Sequence, residues 1–179
     1  LILQAIQIPK GWLNLIECLY DGNEAYSESP GGFVWLFSII SGILQGCPLS
    51  GSLFVFIIDP LLFHLRIHIE NAGLGHVRAC ADDIGISFYE FNSLILIRDI
   101  FTCFRHLSGL ALKPAKSVIV LLANFVSAHN KKCVNDWLME NIPDWANMSV
   151  VNHAKYLGIL LGPTGGKSQW EVALRKFRD

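Results

Sequence analysis

Charge is scarce in this chain. Only 16% of its residues are Asp, Glu, Lys or Arg, and they cancel to a net charge of -1. A protein that grips nucleic acid by itself normally carries a basic excess, so the overall balance argues against autonomous nucleic-acid binding and leaves room only for a local basic groove. No CxxC pair occurs. The five cysteines (Cys18, Cys47, Cys80, Cys103 and Cys133) are odd in number and widely spaced. That argues against a disulfide framework or a zinc knuckle, and fits a reducing, intracellular setting with cysteines as small buried hydrophobes. No signal peptide is visible, and both ends read as cut. An uninterrupted apolar run is also missing. The stretch "FVWLFSIISGILQGCPLSGSLFVFIIDPLLFHL" is broken by Gly, Gln, Pro and Asp, so it falls short of the roughly 18–20 residues of a membrane span and reads as core.

What is present in abundance is apolar surface, 52% of 179 residues. That is ample for a packed core and too much for a disordered chain. Pro9 opens a helix through Tyr20, which Asp21-Gly22-Asn23 stops. "EAYSESPGG" reads as a loop. "FVWLFSII" reads as a strand pair or one buried strand. A helix from about Ser50 to Glu70 takes Ser50 or Ser52 as N-cap, with Pro60 kinking it. "HVRAC" and "IGISFY" alternate around "ADD" and predict a β-hairpin with carboxylates at its tip. Asn92 and Gly109 bracket a further helix. "SVIVLLA" reads as a buried strand, "SAHNKKCVNDWLMEN" as an amphipathic helix, "AKYLGILLG" as a strand, and "SQWEVALRKFRD" as the start of a last helix. The expected class is α+β, without repeats or a flexible linker.

Three segments carry chemistry. Asp82 and Asp83 are either a polar turn or a metal site. Two adjacent carboxylates stay ionised together when a cation offsets their repulsion, and a hairpin tip is rigid enough to fix oxygen ligands. Gln45, in "GILQGCPLSGSLF", is either part of an ordinary strand-to-helix turn or a specific amide on a backbone platform. In the latter case Gly46 allows close approach and Pro48 stiffens the turn. Lys116, in "GLALKPAKSVIVLL", is either a solvated strand end or a cation able to reach phosphate or protonate a leaving group.

Several patterns mislead. "GPTGGKS" places only three residues between Gly162 and Gly166, one short of a phosphate loop, and reads as a glycine-rich turn. His64 and His68 share a helix face, but Leu65 stands where a zincin carries glutamate, so they read as a solvated edge. Trp12, Trp35, Trp137, Trp145 and Trp170 could stack on bases and read more simply as core. Lys131-Lys132 and Arg175-Lys176-Arg178 are modest basic points, most simply solvated faces.

The segments "SGILQGCPLSGSLFVFIIDPLL", "ACADDIGISF", "GLALKPAKS" and "AKYLGILLG", in this order and spacing, resemble consecutive blocks of non-LTR (LINE-type) reverse transcriptases. "IPKGWLNLIECLYDGNEA" is similar to the helix and loop that precede them. The resemblance spans nearly the whole chain, and QGCPLS followed by ADD is its most specific part. It implies a partial reverse transcriptase domain over 1–179, a right-hand palm with part of the fingers. It further implies RNA-directed DNA polymerase chemistry, in which a primer 3′-hydroxyl attacks a deoxynucleoside triphosphate with magnesium ions, RNA as template and DNA as primer. By resemblance, Asp82 ligates metal and Asp83 contributes less directly. Gln45, Gly46 and Pro48 lie in the block contacting template and nucleotide. Lys116 assists near pyrophosphate, and Tyr156, Leu157 and Gly158 lie on the primer side.

The chain departs from that pattern at Cys80, where an aromatic is expected, at Gly51, where proline is common, and at Lys113, where asparagine is common. The family's further metal-binding aspartate lies on a strand upstream of the first helix here. Asp21 and Asp59 are poor stand-ins, which leaves a two-ion site incomplete and the chain alone inactive. Two other readings stand beside this one: a noncatalytic remnant of a mobile element, serving at most as a binding module, and a membrane-associated protein built on the apolar stretch.

Overall fold

The computed structural model describes residues 2–40, 42–44, 46–122, 127–170, 174, 175 and 177. Helix and strand are mixed, as the α+β expectation required. The chain divides into two compact units, Leu1–Pro60 and Leu61–Asp179.

In the first unit a short α1 (Ile2–Ala5) precedes α2 (Lys10–Tyr20). Pro9 stands at the N-cap with φ -53, which preorganises the first turn. At the other end the Asp21 amide donates to Glu17 O, and the Asn23 side-chain amide donates to Leu19 O at 2.8 Å. Thus the terminal carbonyls keep partners. Next come β1 (Glu24–Ser29) and β2 (Gly32–Ser38), an antiparallel hairpin with an irregularity between Ala25 and Tyr26. Two expectations fail here. "EAYSES" is a strand rather than a loop, because the polar segment takes its conformation from pairing with β2. β2 is a strand, but it is exposed along its whole length instead of buried. Phe33 is 77% exposed.

α3 (Ser50–Leu65) follows. Ser50 is its first residue rather than its cap. The Ser50 hydroxyl donates to Leu44 O and lies 3.2 Å from the Tyr20 hydroxyl, which closes the turn before the helix. The helix passes through Pro60 and widens into a π-helical turn at Arg66–Glu70, where the Asn71 amide reaches back to Arg66 O at 3.0 Å. Together these residues form one helical stretch of 21 residues, Ser50–Glu70, long and apolar enough to cross a membrane by length and composition. Gly51, Asp59 and Pro60, which interrupt the apolar stretch in the sequence, are carried within this helix.

The second unit holds most of the buried side chains. Leu61, Leu65 and Ile69 recur every four residues on one helical face. α4 (Ser93–Ser108) contributes Leu94, Ile97 and Phe104, and Gly109 closes it at φ 75, a left-handed C-terminal cap. α5 (Ala128–Asn141) starts at Ser127, whose hydroxyl accepts from the Asn130 amide at 3.1 Å. It buries Leu138, and Ile142, Trp145 and Met148 continue that layer beyond its end. Phe91 meets Trp137 edge to face at 4.6 Å, and Phe101 meets Trp145 at 6.0 Å.

The strands of this unit are short and paired. β3 (Gly75–Cys80) and β4 (Asp83–Phe88) form the expected antiparallel hairpin. β5 (Val118–Val120) is shorter than expected, buries only Ile119, and pairs in parallel with β6 (Ser149–Val151). "AKYLGILLG" is a hairpin rather than one strand: β7 (Ala154–Tyr156) and β8 (Ile159–Leu161) turn at Leu157 and Gly158, both with positive φ, 48 and 88. Two consecutive positive φ values are what a tight two-residue hairpin turn uses. The glycine-rich stretch after β8 leads into a four-residue α6 (Gly165–Ser168), so helix begins before the expected start. Much of the expected last helix, including residues 171–173, 176, 178 and 179, lies outside the described residues.

Two broad expectations are corrected. Cys18, Cys80, Cys103 and Cys133 are exposed and Cys47 is half-buried, so the cysteines are not core. Trp145 is buried, whereas Trp12, Trp35 and Trp170 are exposed. Much of this apolar sequence lies on thin two-stranded sheets and on α2, which buries no residue.

Candidate functional site

The β3–β4 hairpin closes with Cys80 opposite Asp83. Its loop is therefore Ala81-Asp82, and Ala81 adopts φ 51. Left-handed backbone is unfavourable for a residue with a Cβ, so this tip is held against a local preference. Directly opposed residues share a face, and alternate residues swap faces. His76, Arg78, Cys80, Asp83, Gly85 and Ser87 thus belong to one face. Val77, Ala79, Ile84 and Ile86 belong to the other, which carries the buried Val77. Asp82 stands in the loop and Asp83 opens β4, and both are exposed. Among the described residues, neither carboxylate has a hydrogen-bond or ion-pair partner.

Two contacts fix the hairpin. At its base, the Glu70 carboxylate accepts from the Val77 amide at 2.9 Å and from Arg78 Nη1 at 2.8 Å. The amide bond first, and the guanidinium after it, hold the Glu70 carboxyl below the usual range. Near its tip, the Tyr156 hydroxyl donates to Arg78 O at 3.2 Å and lies 3.5 Å from Asp83 O. The Tyr156 ring covers Gly85, where a Cβ would sit 3.2 Å from Cζ. Gly85 interrupts an otherwise alternating strand, a sequence sign of close approach by another group. The Tyr156 contact itself had no local signal.

The other predicted site residues are distributed as follows. Lys116 ends a 3-10 turn, Pro114–Lys116, and its side chain is exposed. Leu157 and Gly158 form the β7–β8 turn, with Leu157 exposed. Gln45 lies outside the described residues. Gly46, at φ 88, and Pro48 are exposed in the turn before α3, in the first unit, whereas Asp82, Asp83, Lys116 and Tyr156 belong to the second. His64 and His68 are exposed, with rings stacked at 6.0 Å, as a solvated helix edge requires.

One feature of the QGCPLS block escaped the sequence reading. The Cys47 thiol is held below its ordinary pKa, first by the Leu49 backbone amide and then by the Tyr20 and Ser50 hydroxyls. Leu49 belongs to the turn immediately before α3.

Exposed carboxylate oxygens are the hard donors that magnesium prefers. Asp82 and Asp83 suit such an ion in kind. Among the described residues, however, no group of three or more His, Cys, Asp and Glu side chains gathers around one point. The pair is thus a partial ligand set. Two clefts of about 300 and 380 Å³ belong to the first unit, and neither is lined by Asp82, Asp83 or Lys116. The carboxylates project from a surface. No protein-family model matches the chain, and no curated protein or solved structure matches it.

Proposed function

We propose that the chain is the carboxylate-bearing part of a reverse-transcriptase palm, with RNA-directed DNA polymerase activity as the function of the domain it contributes to. The observation that carries this reading is the hairpin tip: two exposed carboxylates without partners among the described residues, held at the end of paired strands. The order of QGCPLS, ADD and LKPAKS along the chain supports it. Bound magnesium would neutralise charge on the nucleotide phosphates and activate the primer hydroxyl. Asp82 and Asp83 would hold it. Lys116 would meet the leaving pyrophosphate, and the turn containing Gln45, Gly46 and Pro48 would meet template and nucleotide. Tyr156, Leu157 and Gly158 would lie on the primer side. RNA template, DNA primer and deoxynucleoside triphosphates are the partners this chemistry requires.

Two carboxylates are too few for a two-ion site, so the 179-residue chain alone is expected to be inactive. The test is primer extension on an RNA template with magnesium. The reading expects no extension by this chain. It expects template-dependent extension, abolished by Asp82→Ala, by a chain carrying an additional aspartate-bearing strand upstream. Failure of the longer chain on any template would overturn it.

The two-carboxylate set favours one second reading, a noncatalytic remnant. In-frame stops or frameshifts upstream of residue 1 in the parent gene would support the remnant, whereas an open frame encoding an aspartate-bearing strand would contradict it.

A further inference from the structure

The tip of the carboxylate hairpin is intrinsically unfavourable. Ala81 is left-handed, a conformation a residue with a Cβ disfavours. Among the described residues β3 and β4 form a two-stranded ribbon, which by itself has little to hold such a tip in register. Tyr156 provides an external brace. Its hydroxyl meets backbone oxygens on both strands, 3.2 Å from Arg78 O on β3 and 3.5 Å from Asp83 O on β4. A Cβ at position 85 would lie 3.2 Å from its ring carbon Cζ, so any side chain there would press on it. The turn at Leu157-Gly158 then sends β8 back along β7, which ties Tyr156 into a hairpin of its own.

We propose that Tyr156 is a positioning residue for Asp82 and Asp83, acting through its hydroxyl on the hairpin backbone and through its ring on Gly85. The phenolic proton is committed to the protein, so Tyr156 serves the carboxylates rather than donating to a nucleic acid. This rests on the proposed function only in giving the carboxylates a metal to hold. The brace stands on geometry alone.

Tyr156→Phe keeps the ring and deletes the hydroxyl, so it separates bracing from packing. Amide hydrogen exchange across residues 79–85 is expected to rise about five-fold in this variant, the scale of one lost hydrogen bond, with exchange in α4 and α5 unchanged. Unaltered exchange at the tip would overturn the proposal, as would an equal rise throughout the unit. A second readout separates positioning from mere support: Mn²⁺ titration followed by paramagnetic broadening of the Asp82 and Asp83 amides. Tyr156→Phe is expected to weaken Mn²⁺ binding about three-fold, whereas Lys155→Ala, at the exposed neighbouring position, leaves it unchanged. Equal weakening by both variants would overturn positioning through the hydroxyl. Absence of Mn²⁺ binding in the unmodified chain would count against the metal reading, and the exchange result would still decide the brace.

Discussion

Gly75 opens β3 at the base of the carboxylate hairpin, opposite Phe88. A Cβ placed there would sit 1.9 Å from Ser87 O and 2.8 Å from Phe88 Cα. Both are backbone atoms, so no side-chain rotation relieves the clash, and the strands must part by more than an ångström. Its φ lies outside the left-handed range, so alanine is allowed conformationally and the cost of Gly75→Ala is steric. Forced backbone shifts of this kind cost about 1–3 kcal/mol, while the stiffer unfolded chain returns roughly 0.4–1 kcal/mol. The net expectation is destabilisation of about 1–2 kcal/mol, or a fall in Tm of roughly 2–8 °C for a domain of this size. Gly11 in α2 and Gly51 in α3 have open space at the same position, and alanine at either should stabilise by about 0.5–1 kcal/mol. Thermal and urea unfolding followed by circular dichroism reads all three variants. A neutral or stabilised Gly75→Ala protein would refute the strand register at the base of the hairpin, and with it the placement of Asp82 and Asp83.

Leu138 is fully buried in the second unit; Leu138→Ala should cost about 2–5 kcal/mol in urea unfolding, and a loss under 1 kcal/mol would place it outside the core. The Glu70 carboxyl is held below its ordinary value of about 4.5. Its contribution is therefore full above that value and is lost as pH falls through the lower folded value. Glu70→Gln should flatten the acid limb of the stability curve, and an unchanged limb would contradict the contact with Val77 and Arg78. The Cys47 thiol is held below its ordinary value, so iodoacetamide should label it at lower pH than a model thiol. Tyr20→Phe should move that onset upward, and mass spectrometry of the labelled peptide decides both.

Where the hydrophobic period was strong, the fold was legible. α2 was readable from apolar spacing and its stop signal, α4 from its flanking Asn92 and Gly109, and the β3–β4 hairpin from alternation on either side of two polar residues. The tip was legible to the same extent as the hairpin: Asp82 lies in the two-residue loop and Asp83 opens β4. What escaped was set by pairing and contact rather than by local pattern. β1 is too polar to announce a strand and exists by pairing with β2. β5 and β6 pair in parallel across the whole of α5, and no local pattern specifies that. Tyr156 reaches Arg78 across 78 positions of chain. The exposure of β2, and of most of the cysteines, was misread for a related reason: apolar composition predicts burial only where a second layer exists to cover it.

The central claim is that Asp82 and Asp83 form a cation-binding tip, and Mn²⁺ titration of the isotope-labelled chain tests it most directly. The account predicts saturable broadening centred on the amides of residues 81–84, reversed by excess Mg²⁺ and abolished by Asp82→Asn. Broadening spread over the acidic surface without a centre, or retained in Asp82→Asn, would contradict it.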